Sequence, residues 1–430
     1  MSRFRRHPPT HDELGDSLIK RWNGKVAFFY GMWHSYANGV WQPRTETEMN
    51  LDFWNVQIQH KPEGIDPTQG RCASIEHYCR AHLVVPPDKL VKSDQYINLQ
   101  NGVFHIQERW FLSHDPDLYM THQLPFKFEQ GALCPPWIAF LENVLVKADG
   151  QPDWHLIALF QEVCYYCLTA ETHHRAAFFI VGPKGSGKST MVNILIAVAG
   201  DSHEPINLED INNPYTLAKV AGKRLASFSE PDIRTPLADG AFKKLVSKDP
   251  VPARQIYGTP FSFIPKCKLI GSMNAMPRVL ERSGAVFDRI IIIPTTRPIP
   301  KESRDLYLED RLKAAELPGI FNWMIAGAGR LKLQGRFTMP AQTEIAIEDY
   351  QFENDIPRQW LEECAEPRPG NSMPLDQAHG NFQFWSTNSG YQGMGKINFR
   401  RELNRLGFQH VKKNGNIQIL GLQLKQKGIF

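Results

Sequence analysis

Eight consecutive residues, Gly182-Pro183-Lys184-Gly185-Ser186-Gly187-Lys188-Ser189, have the types and spacing of a phosphate-binding loop. Glycines at these positions let the backbone curl until successive N–H groups face inward. A helix beginning near Lys188 adds its partial positive charge to the same point. In such a loop Lys188 reaches the β- and γ-phosphates of a nucleoside triphosphate and Ser189 ligates Mg2+, so the expected contact set runs from Gly182 to Thr190. Hydrolysis asks for more: a carboxylate to act on water or metal, a polar group to place the water, and often an arginine to offset charge on the γ-phosphate. Each has a candidate downstream. Arg224 to Phe228 is a strand-like run leading through Ser229 into Glu230, Lys268 to Met273 is another ending at Asn274, and Arg289 stands just before the apolar run Ile290 to Ile293. Glu230 is expected as base and, with Ser189, on the metal side; Asn274 would orient the attacking water.

These residues need a scaffold that brings separate stretches to one edge. Ala176 to Val181 reads as a buried strand feeding the loop, Thr190 to Ala199 as the helix leaving it, and Gly200 as its stop. Further apolar runs at Arg224 to Phe228, Phe261 to Ile264, Lys268 to Ser272 and Ile290 to Ile293 alternate with helical stretches. The pattern predicts an α/β core with a mostly parallel sheet and its ligand at the carboxyl ends of the strands. Before about residue 120 the chain reads as a small α+β domain: a helix at Asp12 to Trp22, aromatic strand pieces at Val26 to Tyr36 and Val40-Trp41, and an Asn38-Gly39 turn between them. Residues 121–170 read as a helical lead-in, with periodicity at Pro136 to Leu145 and Trp154 to Leu168. The core spans 171–340, Phe337 to Ile347 forms the exit, and a last domain occupies 350–430.

The chain has 430 residues, a formal net charge of +4 and seven cysteines. That length suggests roughly two to three domains with ample apolar content for packed cores. No apolar run approaches the length of a membrane crossing and no signal region follows Met1, so a cytoplasmic protein, in a bacterial host cell, is expected with no membrane partner. Cys164 and Cys167, with His173 and His174 close behind, lack the ligand spacing of a zinc site and read as helix packing.

Charge distribution says more than net charge. Lys396 to Phe430 holds eight lysines and arginines against one acidic residue, Glu402. Ile397 to Leu406 reads as a helix carrying Arg400, Arg401 and Arg405, followed by a hairpin that turns at Lys412-Lys413-Asn414-Gly415. A helix followed by a basic hairpin is the profile of a winged helix, suited to a groove and a phosphate backbone. A second basic group, Lys243, Lys244, Lys248 and Arg254, lies between Glu230 and Asn274, with Arg254 to Ile264 as a hairpin turning at Gly258-Thr259-Pro260. Such a group could line a channel for a single strand.

The order of these motifs resembles the superfamily 3 helicases, and within them the helicase part of the phage, plasmid and poxvirus-type primase-helicases. In that family Gly182 to Ser189 would be Walker A, Ser229-Glu230 the Walker B terminus, Asn274 the sensor asparagine of motif C, and Arg289 an arginine finger reaching a neighbour's nucleotide. Phe242-Lys243-Lys244-Leu245-Val246-Ser247-Lys248-Asp249-Pro250-Val251-Pro252-Ala253-Arg254 matches the further motif the family carries between Walker B and motif C. Ile97 to Val103, Asp115-Pro116 to Pro125 and Cys134-Pro135 look like the domain that precedes such helicases. The chain departs from the pattern at Ser229, where many relatives have a second acidic residue. It departs again at Lys248, which replaces a glycine, and at Asp288, which replaces an arginine; this leaves the finger to Arg289, with Arg282 as substitute. The resemblance implies a P-loop NTPase core of AAA+ type, ATP and Mg2+, and a homo-hexamer moving 3′ to 5′ on single-stranded and forked DNA. A separate primase or polymerase would be its partner, since no paired-carboxylate priming motif is found in the first 120 residues. Two rival readings stand beside it: an origin-binding or loader ATPase that does not unwind DNA, and a small-molecule kinase.

Overall fold

The computed structural model describes residues 7–230, 235–255, 260–280, 284–413 and 415–425. At its centre lies a five-stranded parallel sheet in the spatial order Ile290–Pro294, Ala177–Val181, Lys268–Met273, Leu225–Phe228, His203–Pro205. Strands covered on both faces need apolar residues at every position, not at alternate ones. Phe178 and Ile180 accordingly pack on one side with Phe160, Met191, Leu195 and Phe321, while Ala177 and Phe179 pack on the other with Phe228, Phe242 and Tyr350. The first face is closed by helices Trp154–Leu168, Lys188–Ala199 and Leu317–Gln334. On the second face, helix Ala341–Asn354 docks through Tyr350, whose hydroxyl donates to Pro277 O at 2.6 Å.

The α/β core with its parallel sheet agrees with the sequence reading, and two details differ. Pro260–Phe263 does not join the central sheet as its apolar run suggested; it pairs antiparallel with Val251–Arg254, Pro260 opposite Arg254, in agreement with the hairpin expected from Arg254 to Ile264. The expected turn residues Gly258 and Thr259 lie outside the described residues, as does Arg282. The edge strand His203–Pro205 has no apolar run to announce it.

Ahead of the core, helix His11–Trp22 starts at a capping box formed by Thr10 and Glu13 and packs with helices Glu46–Gln59 and Gln69–Leu83. They cover a three-stranded meander, Val26–Phe29, Met32–Ala37 and Val40–Pro43, in which Asn38 and Gly39 take the left-handed conformations a two-residue hairpin turn requires. A second small sheet, Tyr96–Leu99, Gly102–His105 and Phe111–Leu112, leads to helix Pro135–Val144. After the core come helices Ile356–Cys364, Leu375–Asn388 and Lys396–Arg405, with strands Ala365–Pro374, His410–Lys413 and Asn416–Leu424. They share a core of their own around Trp360, Phe382, Phe399 and Leu422. Cys164 and Cys167 are fully buried in helix Trp154–Leu168, in keeping with a packing role. Among the described residues no helix is long and apolar enough to cross a membrane.

One buried charge is out of keeping with its surroundings. Lys268 opens the Asn274 strand with only 2% of its surface exposed, donating from Nζ to Thr169 O and, at 3.1 Å, to Lys266 O, above the ring of Tyr166. Burial, aided by the positive charge of Arg224, pushes its pKa down from 10.5 to about 7. Between those values the unfolded chain binds more protons at this site than the folded one, so the Lys268 contribution to stability rises with pH and is lost as pH falls towards 7. Lys268→Met should therefore gain on the wild type as pH falls from 10 to 7, by about 1–3 kcal/mol over that range. Chemical denaturation at several pH values checks this, and a difference that is flat with pH would contradict it.

Candidate nucleotide site and nucleic-acid interface

Three parallel strands end at one edge of the sheet, and the residues that follow them meet there. Strand pairing sets Val181 beside Met273 and Gly271 beside Phe228, so the chain leaves all three strands at nearly the same height. From the first comes the loop Gly182 to Ser189, with Gly185 at φ +80° and Gly187 at φ +85°, backbone that L side chains rarely adopt. A side chain at Gly187 would also lie 2.7 Å from Val144 of the lead-in helix, and one at Gly182 would run into Thr295. Gly187 is demanded by both conformation and space, Gly185 by conformation and Gly182 by space.

Lys188 begins the helix and turns back over its loop. Its Nζ donates to Gly182 O and Pro183 O at 2.7 Å and to Asn274 Oδ1 at 3.2 Å, which uses all three of its donors. Asn274 passes the contact on, its Nδ2 donating to Glu230 Oε1 at 2.6 Å. Burial lowers the Lys188 pKa, and the negative charge of Glu230 pulls it the other way. Lys188, Asn274 and Glu230, read from three separate stretches of sequence, form one connected polar chain. Ser189 is exposed in the first helical turn, beside a cavity of about 490 Å³ that is also lined by Asn193, Ser227, Ser229 and Ser272. Thr190 follows, half-buried.

Arg289 stands elsewhere. It precedes strand Ile290–Pro294, whose Ile290 pairs with Ala177 at the start of the loop strand. Five residues of strand therefore separate it from the loop edge, roughly 16 Å. Its Nη1 donates to Ala285 O, while its Nε is buried with no hydrogen-bond partner among the described residues.

A loop support went unread in the sequence. Thr295, which follows the edge strand, is 2% exposed; its N–H donates to Val181 O at 2.7 Å and its hydroxyl lies 2.7 Å from that of Ser186. Ile299 N–H then donates to Gly185 O at 2.9 Å. A threonine following four isoleucines and Pro294 was the available signal, since a polar group enclosed there needs a partner.

Among the described residues the basic side chains divide into exposed and engaged. Lys244 and Lys248 are exposed at and beyond the end of helix Asp239–Val246, whereas Lys243 and Arg254 each already interact with a neighbour. In the last unit Arg401, Lys412 and Lys413 are exposed and Arg400 is half-buried. Arg405 is committed: its Nη2 donates to both oxygens of Asp355 at 2.8 and 2.7 Å, and its Nε to Glu402 at 2.7 Å. Asp355 also caps helix Ile356–Cys364, so Arg405 is a structural clamp rather than an available phosphate contact.

Comparison with known proteins follows the same divisions. Residues 16–146 match the family described as D5 N terminal like, and residues 180–289, which hold the whole run from loop to Arg289, match a family of unknown function (DUF5906). Over 194 residues the chain is 26% identical to "Putative helicase 022R" of Frog virus 3 (isolate Goorha); this takes in 41% of this chain and 20% of that protein, so the chain spans about a fifth of its relative's length. Two solved apo structures of the NrS-1 C-terminal region share the fold. One has a TM-score of 0.53 with 96% of this chain and 99% of the other covered, the second a TM-score of 0.51 with 97% and 100% covered, both at 11% identity.

Asn274→Ala removes the amide that joins Lys188 to Glu230 and leaves the loop intact. Nucleotide affinity is expected to stay within about threefold while hydrolysis drops about 100-fold. Titration with a fluorescent nucleotide and a phosphate-release assay measure the two; turnover at the wild-type rate would remove Asn274 from the site.

Proposed function

We propose that the chain is a member of the phage and viral primase-helicase lineage of superfamily 3, an ATP-driven DNA helicase which works as a ring and moves along one strand during replication of a phage, plasmid or mobile element. The observation that carries this reading is the contact chain from Lys188 through Asn274 to Glu230 at the edge where the phosphate loop opens. A bare phosphate-binding turn would need neither of the other two.

The residues present suit ATP and Mg2+. Inward-facing backbone and the Lys188 ammonium fit a polyphosphate, and Ser189 with Glu230 offers the hard oxygen ligands that Mg2+ takes when phosphate supplies the remainder. Bound magnesium would offset phosphate charge. Lys188 would exchange the carbonyls of Gly182 and Pro183 for phosphate oxygens, Asn274 would hold a water, and Glu230 would accept its proton. The sheet order and the site at its carboxyl edge support an AAA+ type of core.

Arg289 gives the ring its reason. Strand register holds it away from its own chain's loop, so it serves as a finger only towards a neighbouring copy, and an arginine supplied in trans couples hydrolysis to assembly. A homo-hexamer is the expected form. The exposed Lys244 and Lys248, with Lys243 and Arg254 beside them, would follow the phosphates of a single strand, a contact weakened by salt. The last unit would act as a winged helix, with Arg400 and Arg401 on its helix and Lys412 and Lys413 on its hairpin facing duplex or forked DNA.

The test is ATP-dependent release of an annealed oligonucleotide from forked DNA. Hydrolysis without release, by an assembled ring, would favour a loader instead. Shared sites are tested separately: Arg289→Ala and Glu230→Gln proteins should each lose turnover by about 100-fold or more. In an equal mixture, roughly a quarter of random interfaces pair an intact Glu230 with an intact Arg289, so about that share of the activity should return. No recovery in rings shown to contain both proteins would mean that sites are not shared.

A further inference from the structure

Gly185 marks the midpoint of the phosphate loop, and what faces it is an arginine that no motif includes. A side chain on Gly185 would run directly into the guanidinium of Arg304. Position is maintained from two directions. Ile299 N–H donates to Gly185 O at 2.9 Å, tying the segment to the loop, and Arg304 Nε donates to Ile299 O at 2.9 Å, folding the side chain back over that tie. Both terminal NH2 groups remain without a hydrogen bond among the described residues, and the residue is exposed. The nearest carboxylate in sequence, Asp305, is turned away, since it takes both terminal nitrogens of Arg311 and caps the backbone N–H of Tyr307. A guanidinium at a phosphate cradle, anchored by Nε and making no ion pair among the described residues, has its forked donors free for an oxyanion, the geometry in which arginine binds phosphate best.

We infer that Arg304 is a second cation of the nucleotide site, supplied by the same chain as the loop, that grips the polyphosphate from the Gly185 side. It complements the roles of Lys188 and Arg289: Lys188 is enclosed beneath the loop, Arg289 belongs to the far edge of the sheet, and Arg304 closes the solvent side. The inference rests on the reading of the loop as a nucleotide site.

Titration of the full chain with fluorescently labelled ATP and ADP tests it. Arg304→Ala should weaken both by about tenfold or more, raising KM for ATP more than it lowers kcat, and Arg304→Lys should recover part of the loss by restoring the charge without the fork. Should the alanine variant fail to fold, Arg304→Gln, which keeps the length of the side chain and loses its charge, makes the same comparison. A folded variant that binds both nucleotides within twofold of the wild type would overturn the role of Arg304. Absence of binding by the wild type itself would instead overturn the loop assignment, so the two failures are told apart.

Discussion

The molecule depends on three parallel strands ending together. Lys188, Asn274 and Glu230 sit at separations of 86 and 44 residues, and what makes them neighbours is that Ala177–Val181 has Lys268–Met273 at its side and Leu225–Phe228 one strand further on. Parallel strands buried on both faces carry no alternation to set their register. Here particular contacts set it. Gly271 leaves room for the ring of Phe228 alongside, which any larger residue would displace, and Thr295 ties the end of the edge strand to Val181. A shift of one residue in either strand would carry Asn274 or Glu230 about 3.3 Å along the sheet, beyond hydrogen-bond reach of its partner.

Legibility followed the range of the interactions. The loop could be read because its chemistry is local: glycines, lysine and serine act within eight residues. Glu230 and Asn274 could be read because each ends a run of apolar residues, and polar groups at strand ends in such a sheet face the ligand edge. Short apolar runs do not reveal their sheet, so Phe261 to Ile264 could be counted with the core strands or read as half of a hairpin from Arg254, and its antiparallel pairing agrees with the second. His203–Pro205 is too short and too polar to stand out, and Ala365–Pro374, with three prolines, reads as a linker. It pairs nonetheless, as an edge strand with a register break between Pro367 and Ser372, where proline is tolerated.

Charges were legible in number and not in availability. Arg405 looks equivalent to Arg401 in sequence, yet Asp355, fifty residues upstream, claims it. The same holds in reverse for Arg304, which follows proline-rich chain with no periodicity and becomes conspicuous only when the phosphate loop is seen beneath it. Tertiary pairing separates a cation that stabilises the fold from one left for a ligand, and pairing across fifty or a hundred residues leaves no local trace.

Arg289 carries this argument to the level of assembly. Its Nε is enclosed without a partner among the described residues, a state that costs free energy in any protein and that native folds rarely leave uncompensated. Parallel pairing of Ile290 with Ala177 sets its place: strands that bring Glu230 and Asn274 to the loop edge necessarily leave a residue preceding such a strand at the opposite edge. One sheet cannot present both ends of its strands to one nucleotide. The register that brings Lys188, Asn274 and Glu230 together at one edge of the sheet therefore leaves Arg289 of the same chain roughly five strand residues, about 16 Å, away from them.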